Sequence, residues 1–231
     1  MRFRSKRYKK DAESAPRGAV PIDTAVQQLK TFSKTKFDQS VDLVMHLGID
    51  ARQADQALRG SISLPKGIGA SKRVIAFCAE GDVPAAKAAG AIEAGADELI
   101  EKVQKGWADF DVAVAHPSLM GKVGRLGRVL GPQGKMPSPK SGTVTPDIAT
   151  AVKEYAAGKV EFRNDAGGNV HAVVGKLSFA PEDLKANIMA FVDHIRRMKP
   201  ASAKGTYIKK ICVSGTMTPG IHIDAATVVT E

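Results

Sequence analysis

The sequence predicts an α+β domain built from the two chain ends, with a three-layer α/β domain inserted between them. Three observations carry this expectation. Residues 1–65 hold 12 Lys/Arg against 7 Asp/Glu and residues 159–231 hold 10 against 7, while residues 66–158 are nearly balanced at 12 against 10. Proline and glycine in "LPKGIG" (64–69) and glycine in "AAGK" (156–159) mark hinges. The ends mix strand and helix patterns, whereas the middle alternates short apolar runs with helical stretches. The expected boundaries are 1–67 with 159–231 for the outer domain and 68–158 for the inserted one.

The elements follow in chain order. "MRFRSKRYKK" supplies Arg2, Arg4, Lys6, Arg7, Lys9 and Lys10 and reads as a disordered basic tail that adds nonspecific attraction for polyanions. "PIDTAVQQLKTFSK" (21–34) places Val26, Leu29 and Phe32 at helical spacing, with Asp23 and Thr24 as cap candidates. "VDLVMHL" (41–47) alternates, putting Val41, Leu43, Met45 and Leu47 on one face of a strand. "KRVIAFCAE" (72–80) and "FDVAVAHP" (110–117) are apolar runs suited to buried parallel strands, separated by an alanine-rich stretch of helical composition. "TPDIATAVKEYAAG" (145–158) is a helix with Thr145 as N-cap, Pro146 at the first helical position and Gly158 as its stop. "KVEFRNDAGGNVHAVVGKLSF" (159–179) reads as a hairpin around "DAGG". "PEDLKANIMAFVDHIRRMK" (181–199) aligns Leu184, Ile188, Phe191, Ile195 and Met198 on one helical stripe. "TYIKKICVSG" (206–215) is a further strand.

The net charge of +10 over 231 residues points to a polyanionic partner, nucleic acid or an anionic surface. No run of 18 apolar residues occurs and the N-terminus lacks an apolar core, so transmembrane and secretory readings fail. Cys78 and Cys212 are too few for a disulfide framework or a structural zinc site and fit a reducing cytosol. No metal site and no cofactor is expected.

Catalytic patterns are thin. The segment "GRLGRVLGPQGKMPSP" (124–139) is rich in glycine and carries Arg125, Arg128 and Lys135 with no acid, as phosphate-holding loops often do. A phosphate loop of the G-x-x-x-x-G-K-[ST] kind would need glycine at 129 and a hydroxyl at 136, where Val129 and Met136 stand. The dinucleotide spacing fails as well. His46, His116, His171, His194 and His222 show no metalloprotease spacing, and no G-x-S-x-G elbow occurs. Asp97, Glu98 and Glu101 read as a solvated acidic face, and His194 as the polar edge of its helix. His171, beside a glycine turn, is the better candidate for touching a ligand.

Six stretches, in this order, carry a resemblance: "KTKFDQSVDLVMHLGID", "RGSISLPKGIG", "GWADFDVAVAHPSLMGKVG", "VGRLGRVLGPQGKMPSPKSGTV", "GKVEFRNDAGGNVHAVVGKLSF" and "KGTYIKKICVSGTMTPG". Together they resemble the ribosomal protein L-one family of the large subunit, across most of the chain from about residue 20 to 220. The resemblance implies a two-domain fold with the middle inserted. It also implies a noncatalytic protein of the cytoplasm, ribosome-associated and monomeric when free. Its implied partners are large-subunit rRNA in a mobile stalk, exit-site tRNA whose release it assists, and the leader of its own mRNA, whose translation it represses.

The family's RNA face maps onto "KFDQS" and "SGTMTPG". Carried over residue by residue, the candidates are Lys36, Phe37 and Ser40 with Ser214, Thr216, Met217 and Thr218. Phe37 has two readings, packing on RNA or filling the core. Thr216 would meet a 2′-hydroxyl. Thr218 stands where relatives commonly have glycine, and two readings of its side chain stay open: it crowds close RNA approach, or the position tolerates it at some cost in affinity. His171, Lys176 and Lys204 complete the set, the lysines as phosphate partners. Arg125, Arg128 and Lys135 are assigned to tRNA or a secondary RNA contact. The competing function is a phosphate-ligand enzyme built on the central α/β domain.

Overall fold

The computed structural model describes residues 4–53 and 55–229. It forms two compact units, one from the residues up to Gly69 together with those from Val160 onward, the other from Ala70–Lys159. Mixed helix and sheet make up both, in the α+β and α/β classes that the patterns predict.

In the first unit the chain opens with helix α1 (Lys6–Ser14), α2 (Ile22–Thr31), strand β1 (Ser40–Leu47) and β2 (Arg59–Ile62). The basic N-terminus is therefore helical from Lys6, and Arg2 lies outside the described residues. Ser5 caps α1 by accepting from the Tyr8 N–H, and Asp11 anchors the helix by accepting from the N–H and hydroxyl of Ser33 (3.2 and 2.7 Å). Helix α2 begins earlier than its cap candidates. Ile22 must reach the core with Ala25, Val26 and Leu29, so Asp23 and Thr24 fall in the first turn and Pro21 takes the cap position. There Asp23 pairs with Lys185 instead.

The second unit contains β3 (Val74–Phe77), α3 (Val83–Ala88), β4 (Glu93–Gly95), α4 (Asp97–Gln104), β5 (Val112–Ala115), the short turns α5 (Met120–Val123) and α6 (Gly127–Leu130), and α7 (Ile148–Ala156). Its sheet is parallel in the order β4-β3-β5. Period-two alternation builds a core on each face. Val74, Ala76, Val112 and Val114 pack with Ile148, Val152 and Tyr155 on one side. Ile75, Phe77, Ala113 and Ala115 pack with Leu99, Val103, Leu126 and Leu130 on the other. The alanine-rich stretch is two helices rather than one. Gly90, at φ 107°, ends α3, and residues 93–95 are drawn off as the third strand. Asp147, not Thr145, caps α7, its carboxylate accepting from the Thr150 N–H at 3.1 Å.

The first unit resumes with β6 (Val160–Arg163), β7 (Asn169–Lys176), α8 (Pro181–Arg197), β8 (Ile208–Gly215), β9 (Ile221–Ile223) and α9 (Ala225–Val229). Its main sheet is antiparallel in the order β7-β1-β8-β9. The buried face of β1 carries Val41, Leu43, Met45 and Leu47 and packs with α2 and α8, whose apolar stripes run Ala25–Leu29 and Leu184–Ile195. The predicted hairpin at 159–179 keeps its turn but splays. Beyond a single bridge, Asn164 to Val170, β6 pairs with β2 and β7 pairs with β1. Gly60, opposite Phe162, makes room for this second ribbon. A Cβ at residue 60 would sit 2.9 Å from the Phe162 ring. His194 lies half-buried with its ring edge-on to Phe162 at 5.7 Å, and burial pushes its pKa down, helped by Arg197.

Candidate nucleic-acid interface

Antiparallel pairing brings three chain segments to one end of the main sheet. Ser40 at the start of β1 is opposite Lys176 at the end of β7, and Val41 is opposite Gly215 at the end of β8. The loops 33–39 and 215–218, which leave from this end, are tied to each other. The Thr216 N–H donates to the Ser40 carbonyl, and the Ser40 N–H donates to Thr216 Oγ1, each at 3.1 Å. The Met217 N–H donates to Gln39 Oε1 at 2.9 Å. Gln39 is buried, and Gly215 leaves it room, since a Cβ there would fall 3.2 Å from Gln39 Oε1. Asp38 accepts from the N–H and hydroxyl of Ser178 and fixes the other flank of the 33–39 loop.

This scaffold presents two large apolar side chains to solvent. Phe37 is 53% exposed and Met217 48%, whereas among the described residues the other large apolar groups of the first unit are buried or partly buried. Phe37 is thus not a core aromatic, and the reading that it fills the core falls. Leaving such groups wet forgoes burial worth about 1.5–3 kcal/mol each, so their exposure is the informative feature. Lys36 is exposed beside Phe37, and the Lys176 ammonium donates to Ser40 Oγ at 3.0 Å. Ser214 is half-buried on the sheet face away from α2 and α8.

Thr218 does not face outward. It is 8% exposed, and its Oγ1 accepts from the Gly215 N–H at 2.8 Å. Of its two readings, crowding of an RNA is disfavoured, because the side chain turns inward and its hydroxyl closes the 215–218 turn from inside. Thr216 Oγ1 is also engaged, with Ser40, and has one further lone pair for a ligand.

The remaining candidates spread along the sheet. His171 is exposed near the start of the edge strand β7, opposite Val44, on the face that the helices do not cover. Its Nε2 lies 3.6 Å from Asp165. Burial pushes the nearby Asp42 carboxyl up in pKa, while the charges of His171 and Lys176 pull it back. Lys204 precedes β8 and so stands at the opposite end from Gly215, about 25 Å away by strand rise. The fold does not bring it to the Phe37 cluster.

In the second unit the first half of the glycine-rich segment, up to Leu130, is no open loop. Val123, Leu126 and Leu130 recur every three or four residues and are fully buried, winding 120–130 into helical turns. Arg125 and Arg128 are both exposed on these turns. Lys135 is turned inward, its ammonium donating to the Ala108 carbonyl at 2.8 Å and lying 5.1 Å from the Phe110 ring centroid. This interior role is a poor match to phosphate binding. Among the described residues no cluster of three His, Cys, Asp or Glu could hold a metal ion, and no helix is long and apolar enough to cross a membrane.

Sequence reasoning missed Arg7, Asp38 and Gln39. Asp38 and Gln39 sit inside the motif "KFDQS", but nothing local in the sequence says that they hold loops rather than ligand. Arg7 was assigned to a loose tail, and its guanidinium donates to the Met217 carbonyl at 3.0 Å.

The comparisons with known proteins agree with one another. Residues 29–219 match the model of the Ribosomal protein L1p/L10e family. The large ribosomal subunit protein uL1 of Rhodopirellula baltica is 55% identical over 223 residues, covering 96% of this chain and 99% of that one. The protein of the same name from a Nocardioides species is 53% identical, covering 96% of this chain and 92% of that one. That from Kosmotoga olearia is 50% identical, covering 99% and 100%. These are structural proteins of the ribosome rather than enzymes, so the phosphate-ligand enzyme falls away. The chain is a noncatalytic member of the ribosomal protein L1p/L10e family.

Proposed function

We propose that this protein binds large-subunit rRNA with the end of the main sheet that carries Phe37 and Met217, as a component of the cytoplasmic ribosome. The observation that carries the assignment is the pair of exposed apolar side chains on mutually bonded loops, flanked by Lys36 and Lys176, in a chain of net charge +10. Structured RNA is recognised through shape, phosphates and 2′-hydroxyls, with unstacked bases packed on aromatic faces. Phe37 and Met217 suit a base or sugar, and Lys36 and Lys176 suit phosphates. Ser40, Ser214 and Thr216 supply short hydroxyls for the ribose edge, while His171 extends the surface along the sheet.

Two finer roles follow from the same family reading. Arg125 and Arg128 of the second unit are assigned to tRNA leaving the exit site, whose release the protein assists. The rRNA surface also takes a similar element in the leader of the protein's own mRNA and thereby represses its translation. When free of the ribosome, the protein is a monomer.

The test is a binding titration against an rRNA fragment, the mRNA leader and an unrelated hairpin, with the wild type and Phe37→Ala. Preference for the first two RNAs that collapses in the variant is the expected result. Equal loss on all three would overturn the assignment of the surface.

A further inference from the structure

Arg7 stands 26 residues before Ser33 and 210 before Met217, and it joins them. One terminal nitrogen of its guanidinium donates to the Ser33 carbonyl at 3.4 Å and the other to the Met217 carbonyl at 3.0 Å. Ser33 begins the loop that bears Lys36 and Phe37, and Met217 is the apolar tip of the other loop. The base of α1 is fixed independently. Asp11, 4% exposed, receives both the N–H and the hydroxyl of Ser33. Asp11 lies one helical turn after Arg7, so both residues project from the same side of α1. Helix α1 therefore docks on the first loop through Asp11 and reaches across to the second through Arg7. Among the described residues no carboxylate forms an ion pair with Arg7; its partners are backbone carbonyls.

From this geometry we infer that Arg7 is a positioning residue of the RNA surface, with α1 acting as a clamp that fixes the spacing between the Phe37 and Met217 loops. This rests on the rRNA reading given above. The chemistry requires arginine. A planar guanidinium offers donors in two fixed directions and can hold two carbonyls at once, whereas a lysine ammonium on a flexible stem serves as a point charge. Fixing both loops before RNA arrives removes an ordering cost that binding would otherwise carry. Lys6, Lys9 and Lys10 on the same helix are exposed and remain available as nonspecific charge.

The experiment compares Arg7→Met, Arg7→Lys and Thr216→Ala with the wild type, using the full chain, the rRNA fragment and an unrelated hairpin across a salt series. Arg7→Met keeps an aliphatic stem along the helix surface. It is expected to weaken rRNA-fragment binding by about tenfold, by loss of preorganisation, with little effect on the hairpin. The slope of log affinity against log salt stays that of the wild type, because no phosphate contact is removed. Arg7→Lys fails to restore the affinity. In the free protein, amide exchange at Met217 quickens in both Arg7 variants. Should either variant fold poorly, the other carries the same comparison.

Any of the following results overturns the inference. A slope lower by about 0.7–0.9, with full rescue by lysine, would make Arg7 a phosphate contact. Unchanged affinity or unchanged Met217 exchange would make the clamp irrelevant. If Thr216→Ala loses specific binding while Arg7→Met does not, the clamp alone falls. If neither variant affects specific binding, the assignment of the surface falls and the clamp with it.

Discussion

Ser40 and Thr216 exchange backbone and side-chain hydrogen bonds across the end of the β1–β8 ladder. The Thr216 N–H donates to Ser40 O, and Thr216 Oγ1 in turn accepts the Ser40 N–H. One hydroxyl thus extends the sheet by a further residue and fixes the loop that presents Met217. Thr216→Ala removes this acceptor and, on the proposed surface, a partner for a ribose hydroxyl. Specific rRNA binding is expected to weaken by about 1–3 kcal/mol, roughly tenfold to a hundredfold. Thr216→Ser keeps the oxygen and should retain most of the affinity. A serine variant as weak as alanine would show that the methyl group, not the hydroxyl, matters.

Thr218 makes a prediction about stability rather than recognition. Its Oγ1 accepts the buried Gly215 N–H. Thr218→Val has nearly the same shape and leaves that donor unpaired, at a cost of about 1–3 kcal/mol. Chemical denaturation of the two proteins should show this as a lowered midpoint with an unchanged slope. An unchanged midpoint would mean that the turn finds another acceptor.

Asp165 governs the turn between β6 and β7. Its carboxylate accepts from the Gly167 and Asn169 N–H groups and from the Asn169 side chain. These bonds, with Asn169 foremost, lower its pKa from 3.8 to about 2. A depressed carboxylate pKa stabilises the fold above the unfolded value, and that contribution is lost as pH falls through the folded one. The stability gap between wild type and Asp165→Asn should therefore be constant at neutral pH and close between about pH 4 and pH 2. Thermal unfolding across that range measures it. A gap that persists at pH 2 would assign the effect to packing.

Local periodicity made much of the fold legible. The alternation of Val41, Leu43, Met45 and Leu47 and the stripe from Leu184 to Ile195 are burial patterns that a strand and a helix impose directly. The same signal was present at Val123, Leu126 and Leu130, but the glycines between them masked it, since glycine reads as a breaker wherever packing is not known. Register was harder still. Nothing within 159–179 says that β6 leaves β7 for β2, because the partner lies about a hundred residues earlier. At the candidate interface the gap has the same origin. The outward turn of Phe37, the inward turn of Thr218 and the reach of Arg7 all depend on segments that meet only after folding.

We further propose that the first unit, residues 1–69 with 160–231, is an autonomous RNA-binding domain. Its apolar core runs from Ile22 to Val228 with no residue from 70–159, while the second unit has its own two cores. The segment leading out of the first unit is anchored within it. Leu64 and Ile68 are buried, and the Asn187 amide accepts the Lys66 N–H and donates to the Gly67 carbonyl. The returning chain enters at Val160, the pairing partner of Ile62, so the excised segment is flanked on both sides by fixed backbone. Replacing residues 70–159 by about ten Gly/Ser residues gives a connection long enough to close without strain. The shortened protein should unfold cooperatively and keep the rRNA-fragment affinity of the full chain within about threefold, less than 1 kcal/mol. It should lose any tRNA affinity that depends on Arg125 and Arg128. A product that does not fold would show that the inserted unit is integral to folding, and one that folds but no longer distinguishes the rRNA fragment from an unrelated hairpin would show that it is integral to recognition.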